Sequence, residues 1–164
     1  MKGMTNTNLY NISEIKLTYT RKVKAEERPK ICSSQDAHSL FLTNWDDMTI
    51  NLFEEFKILL LDRNNRCMGI VPISKGGISS TVVDAKLLFA AALKARACAM
   101  ILGHNHPSGN LRASTQDKSL TDKLSKAGHV LYMPILDHII IADDGYLSFS
   151  DENFLNSVMS LNPS

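Results

Sequence analysis

No C-x-x-C pair occurs in this sequence, and its three cysteines, Cys32, Cys67 and Cys98, are widely spaced. An odd, scattered set of thiols argues against a disulfide framework and predicts reduced, mostly structural cysteines in a cytosolic protein. Zinc deaminases of nucleobases need H-x-E followed by P-C-x-x-C, and neither half is present. Charge of one sign is also missing: 18 basic side chains face 17 acidic ones, so the net charge supplies no electrostatic attraction to a nucleic acid or a membrane. No apolar run approaches the length of a membrane span, and the N-terminus lacks an apolar signal core, which predicts a cytoplasmic protein. Gly76-Gly77 is not followed by the G-K-S/T of a phosphate loop. No repeat or low-complexity tract breaks the 164 residues, a length suited to one domain with one core.

What is present is concentrated between Gly103 and Asp117. Cys98 to Leu102 is an apolar run of strand length, and Pro107-Ser108-Gly109 is turn chemistry, so His104 and His106 are predicted at the end of a strand. In extended backbone, residues i and i+2 point the same way, so both imidazoles face one point and Asn105 faces the other. Ser114 precedes a run with apolar residues at Leu120, Leu124, Ala127 and Leu131, the pattern of a capped amphipathic helix. Asp117, three residues before Leu120, shares its inward face. Two imidazoles and one carboxylate form a three-ligand set that leaves a fourth tetrahedral position for water, as in a catalytic zinc site. Ser114 and Asp117 are equally explained as a capping box that only starts the helix.

His104-x-His106, seven residues, Ser114, two residues and Asp117 resemble the signature of the JAMM (MPN, or JAB) zinc hydrolases. His104 to Gly109, Gly76-Gly77 and Leu136-Asp137-His138 are similar to the bacterial RadC-type branch, over roughly residues 31 to 155. The resemblance implies zinc held by His104, His106 and Asp117, Ser114 helping to stabilise an oxyanion, and a peptide or isopeptide substrate. It also suggests that Gly76-Gly77 lets backbone approach that substrate, although the pair could merely form a turn. The branch carries a historical association with DNA repair, but no helix-hairpin-helix or basic stripe supports nucleic-acid binding here. JAMM enzymes carry a glutamate on an upstream strand as general base, and alignment to the RadC-type pattern puts Val71 at that place. Hairpin pairing sets Val71 opposite Ile58, and Glu54, four residues further along on the same face, then falls roughly 13 Å away at ~3.3 Å per residue, so Glu54 or Glu55 could serve only with a different register or loop. The expectation is a zinc-binding domain with slow hydrolysis or none, or a catalytically inactive scaffold, whose rate Val71→Glu would raise.

The surrounding chain predicts an α/β sandwich, a mixed sheet with flanking helices of the JAB/MPN-like, cytidine-deaminase-like kind. Residues 1–30 are an extension with a short strand at Ile15, Leu17 and Tyr19 and a solvated charged linker from Arg21 to Arg28. The domain occupies 31–155, and 156–164 form a tail. Ser33 or Ser34 caps a helix through about Leu42, with Ala37, Leu40 and Phe41 inward and His38 on the surface. Trp45 packs as a core plug. Phe56 to Asp62 and Cys67 to Ile73 form a hairpin turning at Asn64-Asn65, with Pro72 at an edge or bulge. A buried helix spans about Val83 to Ala97, with Leu87 and Leu93 among its buried residues. His129 complements a helix dipole, and His138, in a β-branched strand, is a satisfied structural residue.

Overall fold

The computed structural model describes residue 20, residues 22–76 and residues 82–155. The candidate strand at Ile15, Leu17 and Tyr19 lies outside them, as does Gly77. Strand β1 (Glu55–Leu61) is buried at every position, as a strand covered on both faces must be. It pairs antiparallel with β2 (Cys67–Lys75) through a turn in which Asn65 takes φ 56°, a left-handed conformation that asparagine tolerates. Asp62 steadies that turn by accepting the Asn64 and Arg66 N–H groups. Ile58 stands opposite Val71, the expected register. Lys57 pairs with Pro72 but Phe56 with Ser74, so Ile73 is an extra residue beside the proline. Pro72 thus sits both on an edge strand and at a bulge, where its missing N–H breaks no ladder.

Five strands run in the order β2-β1-β3-β4-β5, with β3 at Ala99–Asn105, β4 at Ile135–Ala142 and β5 at Gly145–Ser148. All pairs are antiparallel except β3 with β4. Helix α1 (Ser34–Thr43), capped by Ser33, covers one face: Ala37, Phe41 and Trp45 pack on Leu59, Leu61, Ile101 and Ile139. Helices α2 (Ala85–Ala95) and α3 (Thr115–Val130) cover the other, with Leu88, Ala92 and Leu124 on Ile58, Leu60, Met100 and Leu102. The α/β sandwich with a mixed sheet is therefore borne out. A Cβ at Gly103 would come 2.5 Å from the Phe41 ring, so only glycine lets α1 lie this close to β3. No helix among the described residues is long and apolar enough to cross a membrane.

Several expectations need correction. His38 is buried, because α1 meets Tyr146 of β5 and the two rings stack at 4.4 Å between centroids. Leu87 and Leu93 are exposed: α2 buries the stripe Leu88, Phe89 and Ala92, a face that the unbroken apolar run conceals. The charged linker is not wholly solvated. Arg28 is buried against Asp62 at 3.1 Å, and Arg66 donates to the Arg28 and Glu26 carbonyls, strapping this segment to the hairpin turn. All three cysteines are free, with only Cys67 buried.

Candidate metal centre

β3 delivers His104 and His106 to the sheet's end, as the strand pattern predicts, with Asn105 on the opposite face. The Pro107 turn closes with Gly109 N–H donating to the His106 carbonyl, and Gly109 takes the φ of 78° that favours glycine. His106 Nδ1 meets the Asn110 carbonyl. A carbonyl can only accept, so Nδ1 carries the proton and His106 Nε2 presents a lone pair. That atom lies 2.9 Å from His104 Nε2.

Asp117 arrives from α3. Ser114 Oγ accepts the Asp117 N–H at 3.0 Å, and Asp117 Oδ2 accepts the Ser114 N–H and O–H, each at 2.7 Å. The capping box is therefore real, and it does more than start the helix: it aims the carboxylate. Asp117 Oδ1 stands 3.3 Å from His104 Nε2 and Oδ2 stands 3.8 Å from His106 Nε2. Burial pushes the Asp117 carboxyl up, but the His104 and Ser114 contacts outweigh it and hold the group well below the usual carboxylate range. Both imidazoles and an ionised carboxylate thus converge, as the spacing predicts.

Glu54 joins them, against expectation. Phe56 pairs with His104 across β1 and β3, so two residues further along Glu54 falls opposite His106 on the same face. A Glu54 carboxylate oxygen and one ring nitrogen of each histidine lie within 4.8 Å of one another. The backbone around Glu54 is clamped from both sides. Asn105 Oδ1 accepts the Glu55 N–H at 2.7 Å, Asn105 Nδ2 donates to the Phe53 carbonyl at 2.7 Å and to that of Ile50, and the Gly76 N–H donates to the Glu54 carbonyl at 2.8 Å. Gly76 therefore supports a site residue here; its partner Gly77 lies outside the described residues. The long distance inferred for Glu54 came from measuring it against Val71 on β2, whereas the histidines lie on β1's other neighbour. Glu55 points away, toward Lys57 at 3.6 Å and Lys75 at 3.4 Å. Val71 packs at the edge of the apolar cluster.

These groups open on a cleft of about 620 Å³, with Phe56, Val82, Val83 and Leu120 as its apolar wall. Behind it, His138 is fully buried, with Nε2 2.7 Å from His104 Nδ1 and Nδ1 2.6 Å from Thr121 Oγ1. Burial pushes His138 well below the ordinary histidine range. Both its nitrogens are occupied, as a structural reading expects, yet its partner is a candidate ligand. The sequence that builds this site matches a known family: the RadC-like JAB domain family matches residues 31–154.

The chain belongs to that family.

The RadC-like domain is 41% identical over 135 residues to a UPF0758 protein of Flavobacterium johnsoniae, covering 80% of this chain and 58% of that protein. It is 38% identical to one of Porphyromonas gingivalis, covering 83% and 60%. A third, from Clostridioides difficile, is 34% identical over 92% of this chain and 68% of its own length. The chain thus spans about three fifths of the first two relatives.

Proposed function

We propose that this RadC-like domain is a zinc-dependent hydrolase of peptide or isopeptide bonds. The observation that carries the reading is the convergence of two histidine nitrogens and one carboxylate, with a second carboxylate, Glu54, beside them at the mouth of a cleft. Donor atoms ~2.0–2.1 Å from a tetrahedral zinc ion stand roughly 3.3 Å apart. The 2.9 Å between the two histidine Nε2 atoms and the 3.3 Å from His104 Nε2 to Asp117 Oδ1 support such an ion held by His104, His106 and Asp117, whose other oxygen, Oδ2, lies 3.8 Å from His106 Nε2. When bound, zinc would polarise the scissile carbonyl and lower the pKa of a water toward ~7.

The chain's own groups account for the rest. Glu54 takes the proton from the attacking water and returns it to the departing amine nitrogen, so water adds across the C–N bond with no other reactant. Ser114 donates to the oxygen that gains charge. Its hydroxyl proton rests on Asp117 Oδ2, but rotation about Cβ–Oγ re-aims it while Oγ still accepts the Asp117 N–H. Ser114→Ala is therefore expected to cost about 1 kcal/mol of stability in denaturant titrations and to lower the rate by about a hundredfold. The inactive-scaffold reading rested on Val71 in the place of a base, and the position of Glu54 removes that support.

The test is zinc content by elemental analysis, together with cleavage of a peptide and an isopeptide library by the zinc-loaded protein. One zinc per chain and chelator-sensitive cleavage are expected. A protein that stays metal-free in added zinc would overturn the reading.

A further inference from the structure

We infer that Thr121 and His138 are positioning residues that hold His104 in the one tautomer able to ligate a metal. This rests on the metal-site reading above. It follows from counting protons along a buried chain of contacts: Asp117 carbonyl, Thr121 Oγ1, His138 Nδ1, His138 Nε2, His104 Nδ1.

The count starts at the one group whose role is fixed. Thr121 Oγ1 lies 2.7 Å from the Asp117 carbonyl oxygen, which can only accept, so the single hydroxyl proton points there. At His138 Nδ1, 2.6 Å away, the hydroxyl must then accept, which puts a proton on Nδ1. A fully buried ring without a carboxylate partner carries one proton, leaving Nε2 as an acceptor. His104 Nδ1, 2.7 Å from it, is thereby the donor, so Nε2, the atom facing Asp117 and His106, is the nitrogen left for a metal. Ligating histidines are commonly fixed by a carboxylate or backbone carbonyl. Here a second neutral imidazole does that work and must itself be fixed, so the information originates in a helix hydroxyl two residues removed from the metal.

The fold provides for this. Met100 pairs with Ile135 but Ile101 with Asp137, so Leu136 is a bulge in β4, and it turns both Ile135 and His138 toward the same helices. Asp137 secures the bulge by accepting the His138 N–H at 2.7 Å, the Ser148 O–H at 2.6 Å and the Ser150 N–H at 2.9 Å. In a regular strand His138 would face α1. On α3, Asp117, Thr121 and Leu124 follow one stripe, so the helix that supplies a ligand also supplies the hydroxyl.

Replacing Thr121 by valine keeps the shape and removes the acceptor. His138 then avoids a buried unsatisfied N–H by moving its proton to Nε2, which obliges His104 to carry its own proton on Nε2, inside the metal site. The experiment compares wild type, Thr121→Val and Thr121→Ser by zinc affinity in chelator competition and by long-range ¹H–¹⁵N correlation of the histidine rings in the metal-free protein. Zinc affinity is expected to fall about tenfold or more in Thr121→Val and to stay at the wild-type level in Thr121→Ser. Metal-free wild type should show His104 protonated at Nδ1, and Thr121→Val should shift that proton toward Nε2. Wild-type affinity and an unmoved proton in a folded Thr121→Val would overturn the inference, as would a wild-type His104 without a proton at Nδ1. The nitrogen spectra need no metal, so they decide the matter even if Thr121→Val does not fold, or if wild type takes up no zinc and the hydrolase reading fails.

Discussion

Glu54→Gln is expected to lower hydrolysis by about 10²–10⁴-fold, the usual contribution of a positioned base, at unchanged metal content. Glutamine keeps the length of the side chain and disturbs none of the contacts that clamp this segment, since all of them are to backbone atoms: the Glu55 N–H, the Phe53 and Ile50 carbonyls and the Glu54 carbonyl itself. What is lost is the capacity to take a proton. Glu55→Gln is the control one residue away. Its carboxylate lies on the other face, between Lys57 and Lys75 and accepting from Thr49, so turnover is expected to continue. Val71→Glu, expected from the sequence to restore a base, is now expected to give no rate gain, because Val71 stands opposite Ile58 on the edge strand β2, two strands across from the histidines of β3. Single-turnover rates of the zinc-loaded variants separate these outcomes. Equal loss in Glu54→Gln and Glu55→Gln, or full activity in Glu54→Gln, would sink the assignment.

The contrast between Glu54 and His104 shows what the residues alone disclose. The two histidines were legible because their relation is local: spacing of two along a strand fixes a shared face whatever the tertiary structure. Asp117 was legible for the same reason, through helical periodicity from Leu120 and the capping pattern at Ser114. Glu54 belongs to the site only through the pairing of β1 with β3, fifty residues on, and a hairpin turn advertises only the other neighbour, β2. Once Phe56 is known to face His104, the position of Glu54 follows by counting; nothing local announces it. His38 and the outer leucines of α2 were misplaced for a related reason. Burial there is decided by Tyr146 and by which side of the helix meets the sheet, neither of which an apolar run encodes. His138 was read as a structural residue, and both its nitrogens do have partners, but its phase depends on a bulge at Leu136 that no turn residue marks.

Asp117 separates the metal's contribution from the helix cap's, and its two replacements should behave differently. Zinc at a thousandfold above its dissociation constant stabilises a folded protein by about 4.1 kcal/mol, and that increment is expected in the wild type and absent in both Asp117→Asn and Asp117→Ala, read as the shift in denaturant midpoint on adding zinc. Without metal the two part company. Asparagine still offers an oxygen to the Ser114 N–H, so the capping box survives in part, whereas alanine leaves that donor unpaired and should cost about 1 kcal/mol more. The charge sets the pH dependence. Because the folded carboxyl is held below its ordinary value, the unfolded chain binds the proton more readily, and the stability contributed by the ionised group is complete above the unfolded carboxylate pKa of about 3.9. It is lost as pH falls through the lower, folded value. The metal-free wild type should therefore exceed Asp117→Asn by a constant margin from about pH 5 to 8, with the gap closing only in stronger acid. A gap that instead widens as pH falls below about 5, through the carboxylate range, would mean that His104 and Ser114 do not hold the folded carboxyl ionised.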